Sequence, residues 1–154
     1  MNFIEANFEG KGLKVGVVIG RFNSAVTKEL LDGCKDCLVR HNVEEKDIDV
    51  YFVPGSMEIP FTVKQLVKNK NYDGIVALSA VIRGDTYHFE IVANEVAKGI
   101  AQINLNYDTP VSFGVITTDT LEQALNRAGL KSGNKGFDAA MTLLEMMNLN
   151  KIIK

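Results

Sequence analysis

Two hydrophobic rhythms alternate along this chain. Short, nearly continuous apolar runs are followed by longer stretches in which apolar residues recur every three or four positions. The first run is Leu13–Ile19 (LKVGVVI). It reads as a strand buried on both faces, the habit of parallel sheets. Gly20-Arg21-Phe22-Asn23-Ser24 follows, with Asn23 or Ser24 suited to cap a helix. Val26, Leu30, Leu31, Cys34, Cys37 and Leu38 then repeat at helical spacing to about His41. Ile48–Val53 is the second strand, and Pro54-Gly55-Ser56 turns into a helix over Glu58–Asn69. Gly74–Ala80 is the third strand. After Arg83-Gly84-Asp85, a long helix carries the stripe Phe89, Val92, Ala93, Val96, Ile100 and Ile103. Val111–Ile116 is the fourth strand. Thr117-Thr118-Asp119-Thr120 signals a helix start, Leu121–Arg127 is helical, and Asn134 can cap a last helix to about Leu149.

This βαβαβαβα order needs right-handed crossovers, which give a parallel sheet covered on both faces. The expectation is an α/β fold, a three-layer αβα sandwich around a four-stranded parallel sheet in the flavodoxin-like order 2-1-3-4. Sites in such sheets lie at the carboxyl ends of the strands, near a switch in strand order. The loops after Ile19, Val53, Ala80 and Ile116 are therefore privileged. Residues 1–12 have no slot in this scheme. Asn2 to Phe8 alternates apolar and polar, so it reads either as a frayed terminus or as an edge strand for a neighbouring subunit.

Length changes little: 154 residues favour one domain, 1–154, able to bury a core without staples. Hydrophobic residues are 46% and charged residues 23%, ordinary for a globular chain. A net charge of −2 gives no field for a nucleic-acid backbone, so no nucleic-acid partner is expected. No apolar stretch is long enough to span a membrane. Two cysteines and a polar Met1–Gly12 without an export pattern point to the cytoplasm.

The candidate chemistry is uneven. Cys34-Lys35-Asp36-Cys37 is a CxxC, but it falls late in a helix and on its apolar face, so it reads as core rather than as a redox pair or half a zinc site. Arg83-Gly84-Asp85-Thr86-Tyr87-His88 joins the third strand to the long helix. Free amides at a helix start form an anion site, Thr86 can bond a phosphate, and His88 can take and give a proton near neutral pH. The competing reading is a capping motif, with Asp85 or Thr86 as the cap. In Pro54–Pro60, Glu58 and the amides of Ser56 and Met57 suit hydroxyls or a ring edge, or else form only a tight turn. Phe22 suits stacking on a planar ligand, or a hydrophobic staple. Arg127 is a phosphate clamp or a dipole-compensating end residue, and Lys135 is a usable cation at a helix start. His41 reads as a solvent-side residue near a helix end.

Arg21-Phe22-Asn23, PGSMEIP at 54–60, AVIRGDTYHFE at 80–90, FGVITTDT at 113–120 and AGLKSGNKG at 128–136 occur in this order. Together they resemble the 6,7-dimethyl-8-ribityllumazine synthase family, from about residue 3 to 150. The resemblance implies condensation of 5-amino-6-(D-ribitylamino)uracil with L-3,4-dihydroxy-2-butanone 4-phosphate to the lumazine, phosphate and water. This is the penultimate step of riboflavin biosynthesis, and it needs no metal or organic cofactor.

By motif, the resemblance also implies roles. Phe22 would stack on the pyrimidine, while Ser56, Met57 and Glu58 would bind the ribityl chain and ring. Ala80, Val81 and Ile82 would line the ring pocket. Asp85 and Thr86 would hold phosphate, chiefly through backbone amides and the Thr86 hydroxyl. His88 would transfer protons. Phe113, Arg127 and Lys135 would come from the neighbouring subunit, Arg127 on phosphate and Lys135 near the ring, and Asn23 is a further candidate for the ribityl chain.

Homopentamers are implied as partners, either free or assembled further into icosahedral shells as in many family members, with riboflavin synthase as a candidate guest. In the glycine-rich turn before the last helix, Leu130 and Ser132 depart from the commonest shell pattern. A flavin- or nucleotide-binding module without turnover, or a purely structural cage, are the alternatives on the same fold. Lumazine formation from the two substrates separates all three.

Overall fold

The computed structural model describes residues 1–131 and 133–154. Ser132, one of the two departures from the shell pattern, lies outside the described residues. Four strands form one sheet: β1 (Val15–Gly20), β2 (Ile48–Val53), β3 (Gly74–Ile82) and β4 (Val111–Thr118). Their order is β2-β1-β3-β4 and every pairing is parallel. The helices are α1 (Ser24–Arg40), α2 (Ile59–Asn69), α3 (His88–Asn106), α4 (Leu121–Arg127) and α5 (Lys135–Ile153). The fold is the expected three-layer αβα sandwich.

The pleat sends alternate side chains to two separate cores. Val15, Val17 and Ile19 of β1 and Val76, Leu78 and Ala80 of β3 face α1, α4 and α5. Val18 of β1, with Ile75, Ala77 and Val81 of β3, faces α2 and α3. The two central strands are therefore buried along nearly their whole length, which is why they read as unbroken apolar runs.

Coverage fails at the outer strand. Val50 and Phe52 of β2 are exposed, so the sheet is not covered on both faces throughout. The register pairs Val50 with Val17 and Phe52 with Ile19. That puts them on the face packed by α1, which covers this outer strand only in part: Val50 lines an open groove with Leu31, Asp32 and Lys35 of that helix.

Several local expectations change. The helix expected from Glu58 begins instead with a single 3-10 turn, Ser56–Glu58, and becomes α-helical at Ile59. The fourth strand runs on to Thr118, and Thr120 alone caps α4, its Oγ1 accepting from the Gln123 amide at 3.1 Å. His41 is not simply a solvent-side residue. It is half-buried, its Nδ1 lies 2.7 Å from the Cys37 carbonyl, and its ring meets Phe8 edge-on. Cys34 and Cys37 are buried in the α1 core, as expected.

The amino-terminal residues form no strand on their own chain. Asn148 of α5 holds the carbonyls of Asn7 and Glu9 through Nδ2, at 3.1 and 2.9 Å. Upstream of that clasp, Phe3 and Ile4 are exposed.

Candidate active site

The carboxyl ends of β1, β2 and β3 converge on a pocket of about 470 Å³. This is a normal size for a small-molecule site. β1 lies between β2 and β3, and the chain runs outward to β2 and then returns past it to β3. The pocket thus opens at the switch in strand order, where α/β sheets place their ligands.

Each strand end contributes a different surface. After β1, the amides of Arg21 and Phe22 donate to the carbonyls of Val53 and Pro54, at 2.8 and 3.1 Å, so this loop is laced to the end of β2. Asn23 then adopts a left-handed conformation, φ 61° and ψ 46°, which asparagine tolerates better than most residues. Its side chain does not cap α1; Nδ2 instead donates to the carbonyl of Ala80, at 2.9 Å. The first loop is therefore pinned to the end of β3 as well. Phe22, held between these ties, keeps 73% of its surface exposed. A staple would bury the ring, so the geometry leaves its face free for a planar ligand.

After β2, the turn Gly55–Glu58 folds back on itself. The Gly55 amide donates to Glu58 Oε2 at 2.9 Å, and this fixes the carboxylate beside the pocket. The Ser56 hydroxyl points into the core and shares a hydrogen bond of 2.6 Å with Ser79 of β3. Its buried oxygen is thereby satisfied, and Ser56 meets the pocket chiefly with its backbone.

After β3, Ala80, Val81 and Ile82 line one wall, followed by Gly84, Thr86 and His88. Neither Asp85 nor Thr86 caps α3 in the expected way. The position before the helix is Tyr87, in right-handed conformation, and no side chain caps it. Thr86 Oγ1 only accepts a long bond from the His88 amide, at 3.4 Å. Of the first-turn amides, that of Glu90 donates to the Tyr87 carbonyl at 3.2 Å, while those of His88 and Phe89 make no other hydrogen bond among the described residues and stand open beside the pocket, as an anion site requires.

The pocket unites Phe22, Ser56, Met57, Glu58, Ala80, Val81, Ile82, Thr86 and His88, together with Asn23. Four expected residues lie elsewhere. Asp85 is exposed and off the lining. Phe113 stands on the outer strand β4, 43% exposed. Arg127 ends α4 and Lys135 begins α5; both are exposed, and Lys135 pairs with Asp138 at 3.1 Å. Gly84, Phe89 and Val92 also line the pocket. In the sequence Phe89 and Val92 are indistinguishable from core, because the apolar stripe of α3 runs past the end of the sheet and its first turn faces the opening.

A sequence model of the 6,7-dimethyl-8-ribityllumazine synthase family matches residues 12–151. The chain belongs to the 6,7-dimethyl-8-ribityllumazine synthase family. The 6,7-dimethyl-8-ribityllumazine synthase of Kosmotoga olearia is 62% identical over 154 residues, covering all of this chain and 99% of that protein. Those of Thermotoga neapolitana and Thermotoga maritima are each 54% identical, covering all of this chain and 93% of theirs. Membership in the lumazine synthase family carries its reaction: a transferase step that joins a ribitylaminouracil and a butanone phosphate on the way to riboflavin. Small-molecule substrates and assembly of copies go with it. Among the described residues no helix is long and apolar enough to cross a membrane.

Proposed function

We propose that the pocket holds the two substrates side by side, with the residues in the following roles. Phe22 stacks on the pyrimidine. Glu58 and the 56–57 amides take the ribityl hydroxyls and ring edge, with Asn23 at the ribityl chain, and the backbone of 80–82 frames the ring. The amides around Gly84, Asp85 and Thr86, with the Thr86 hydroxyl, hold the phosphate. The ring amine attacks the ketone and water leaves, giving an imine. His88 removes the neighbouring proton, and the electron pair expels inorganic phosphate, leaving an enol. The enol takes a proton and becomes a ketone, and the second amine closes the ring with loss of water. These steps are mainly proton transfers, which one bidirectional histidine can serve. Phosphate departs as an anion, which open amides and a guanidinium stabilise. No step calls on a metal or organic cofactor.

The observation that carries this reading is the convergence on one pocket of nine residues from three separate motifs. Phe113, Arg127 and Lys135 complete the site from an adjacent copy. Their exposure, away from their own chain's pocket, supports that assignment. Residues 1–154 act as one domain whose arm, 1–12, joins an adjacent copy at an open sheet edge. The copies form pentamers and, from them, icosahedral shells in the cytoplasm, with riboflavin synthase as a candidate guest.

Mixing the two substrates and following lumazine absorbance tests the reading. His88→Ala should slow turnover substantially without abolishing it, since positioning alone supplies much of the rate. Arg127→Ala should mainly raise the KM of the phosphorylated substrate. Unchanged turnover in His88→Ala at saturating substrate refutes the role of His88.

A further inference from the structure

We propose that Arg83 is a positioning residue: its guanidinium fastens the loop that presents Thr86 and His88 onto the loop that follows β4. The proposal rests on the reading of the pocket given above. The Arg83 amide donates to the Thr118 carbonyl at 2.8 Å, continuing the β3–β4 ladder by one bond. Its Nε donates to Asp119 Oδ1 at 2.8 Å, and its Nη1 donates to Glu90 Oε1. The guanidinium carbon also lies 4.4 Å from the centre of the Phe89 ring. One side chain therefore grips the two residues that follow His88 and the loop of the neighbouring strand.

The segment between has few other ties. Gly84 stands in open space, the Thr86–His88 bond is long, and α3 starts without a side-chain cap. An uncapped first turn frays readily. The Arg83 contacts to Phe89 and Glu90 hold that turn closed, and Phe89 is itself a pocket wall. A lone surface pair would contribute little, but here two carboxylates and a ring share a single ordered guanidinium. Both carboxylates already match its charge, so the role is geometric rather than that of a phosphate cation. A lysine keeps the charge but lacks the planar fork needed to meet both acceptors.

Arg83→Gln, Arg83→Lys and Asp119→Asn, with His88→Ala alongside, test this by initial rates with each substrate varied in turn, plus thermal melting. Arg83→Gln should lower kcat roughly tenfold, as expected for a small misplacement of reacting groups. It should raise the KM of the phosphorylated substrate and leave the pyrimidine KM within about twofold. Arg83→Lys should recover part of the loss. Asp119→Asn, which leaves the α3 contacts in place, should shift kcat the same way by less. A lower melting temperature with kcat and both KM values unchanged overturns the proposal, as does an equal rise in both KM values. If Arg83→Gln does not fold, unchanged kcat in Asp119→Asn overturns it. Wild-type turnover in His88→Ala overturns instead the reading of the pocket beneath it.

Discussion

The side chain of Asn134 donates from Nδ2 to the backbone carbonyl of Glu29 in α1, at 2.8 Å. The same nitrogen donates to the Ala128 carbonyl at 3.0 Å, while Oδ1 accepts from the amides of Gly136 and Phe137, at 2.8 and 3.2 Å. One carboxamide thus joins the end of α4, the start of α5 and the middle of α1. Arg127 and Lys135 flank this clasp. Gly33 of α1 packs against the carboxamide so closely that any side chain there would collide with it.

Asn134→Ala should cost about 2 kcal/mol, from a lost helix cap and lost carbonyl partners. Asn134→Asp keeps the cap acceptor but turns a second oxygen toward the Glu29 and Ala128 carbonyls, so it should be destabilised as well despite the retained cap. Denaturant unfolding checks both. A wild-type midpoint for Asn134→Ala would mean that the clasp contributes nothing.

A site shared between copies predicts complementation. His88→Ala and Arg127→Ala chains, each impaired, should regain activity when coexpressed or reassembled together. With random mixing, about a quarter of the sites carry both native residues. Activity of the mixture no higher than the average of the two parents would place Arg127 and His88 in the same chain's site, or leave Arg127 without a role.

Burial pushes the thiols of Cys34 and Cys37 up to about 12, so at pH 8 neither presents thiolate. Both should resist iodoacetamide in the folded protein and react promptly in guanidinium chloride. Mass spectrometry reads the difference. Rapid labelling of the native protein would show that α1 opens freely.

Tyr72 donates to Asp49 Oδ2 at 2.5 Å, and its hydroxyl lies 2.5 Å from that of Tyr51. Burial first, then these bonds, push its titration well above the ordinary tyrosine value of 10.0. Folding therefore favours the protonated phenol. That contribution is complete below pH 10 and is lost as pH rises beyond it, because the unfolded tyrosine ionises first. Stability should fall above pH 10, and less steeply in Tyr72→Phe. Absorbance at alkaline pH should show a tyrosine that ionises late.

The sheet was legible because β1 and β3 bury both faces and so appear as unbroken apolar runs, while the helices keep a regular stripe. The pocket was legible where the chemistry is local, as in the run from Arg83 to His88. Long-range partnerships were not. Nothing near Ser56 announces Ser79, and nothing near Asn23 announces the Ala80 carbonyl, because each bond depends on strands brought together only by folding. Phe89 and Val92 were hidden for a different reason: an apolar stripe carries no mark of where the sheet beneath it stops. Exposure at Val50 and Phe52 was invisible for the same cause, since coverage depends on where α1 lies rather than on the strand's own residues.

The left-handed turn at Asn23 bears on ligand design. Because its amide side chain ties it to a rigid neighbour, the slot around Phe22 is formed before anything enters it. An incoming heterocycle need not organise the loop, so its affinity goes into discrimination of shape. Flat, stiff compounds that match the slot should therefore outperform flexible ones of equal size.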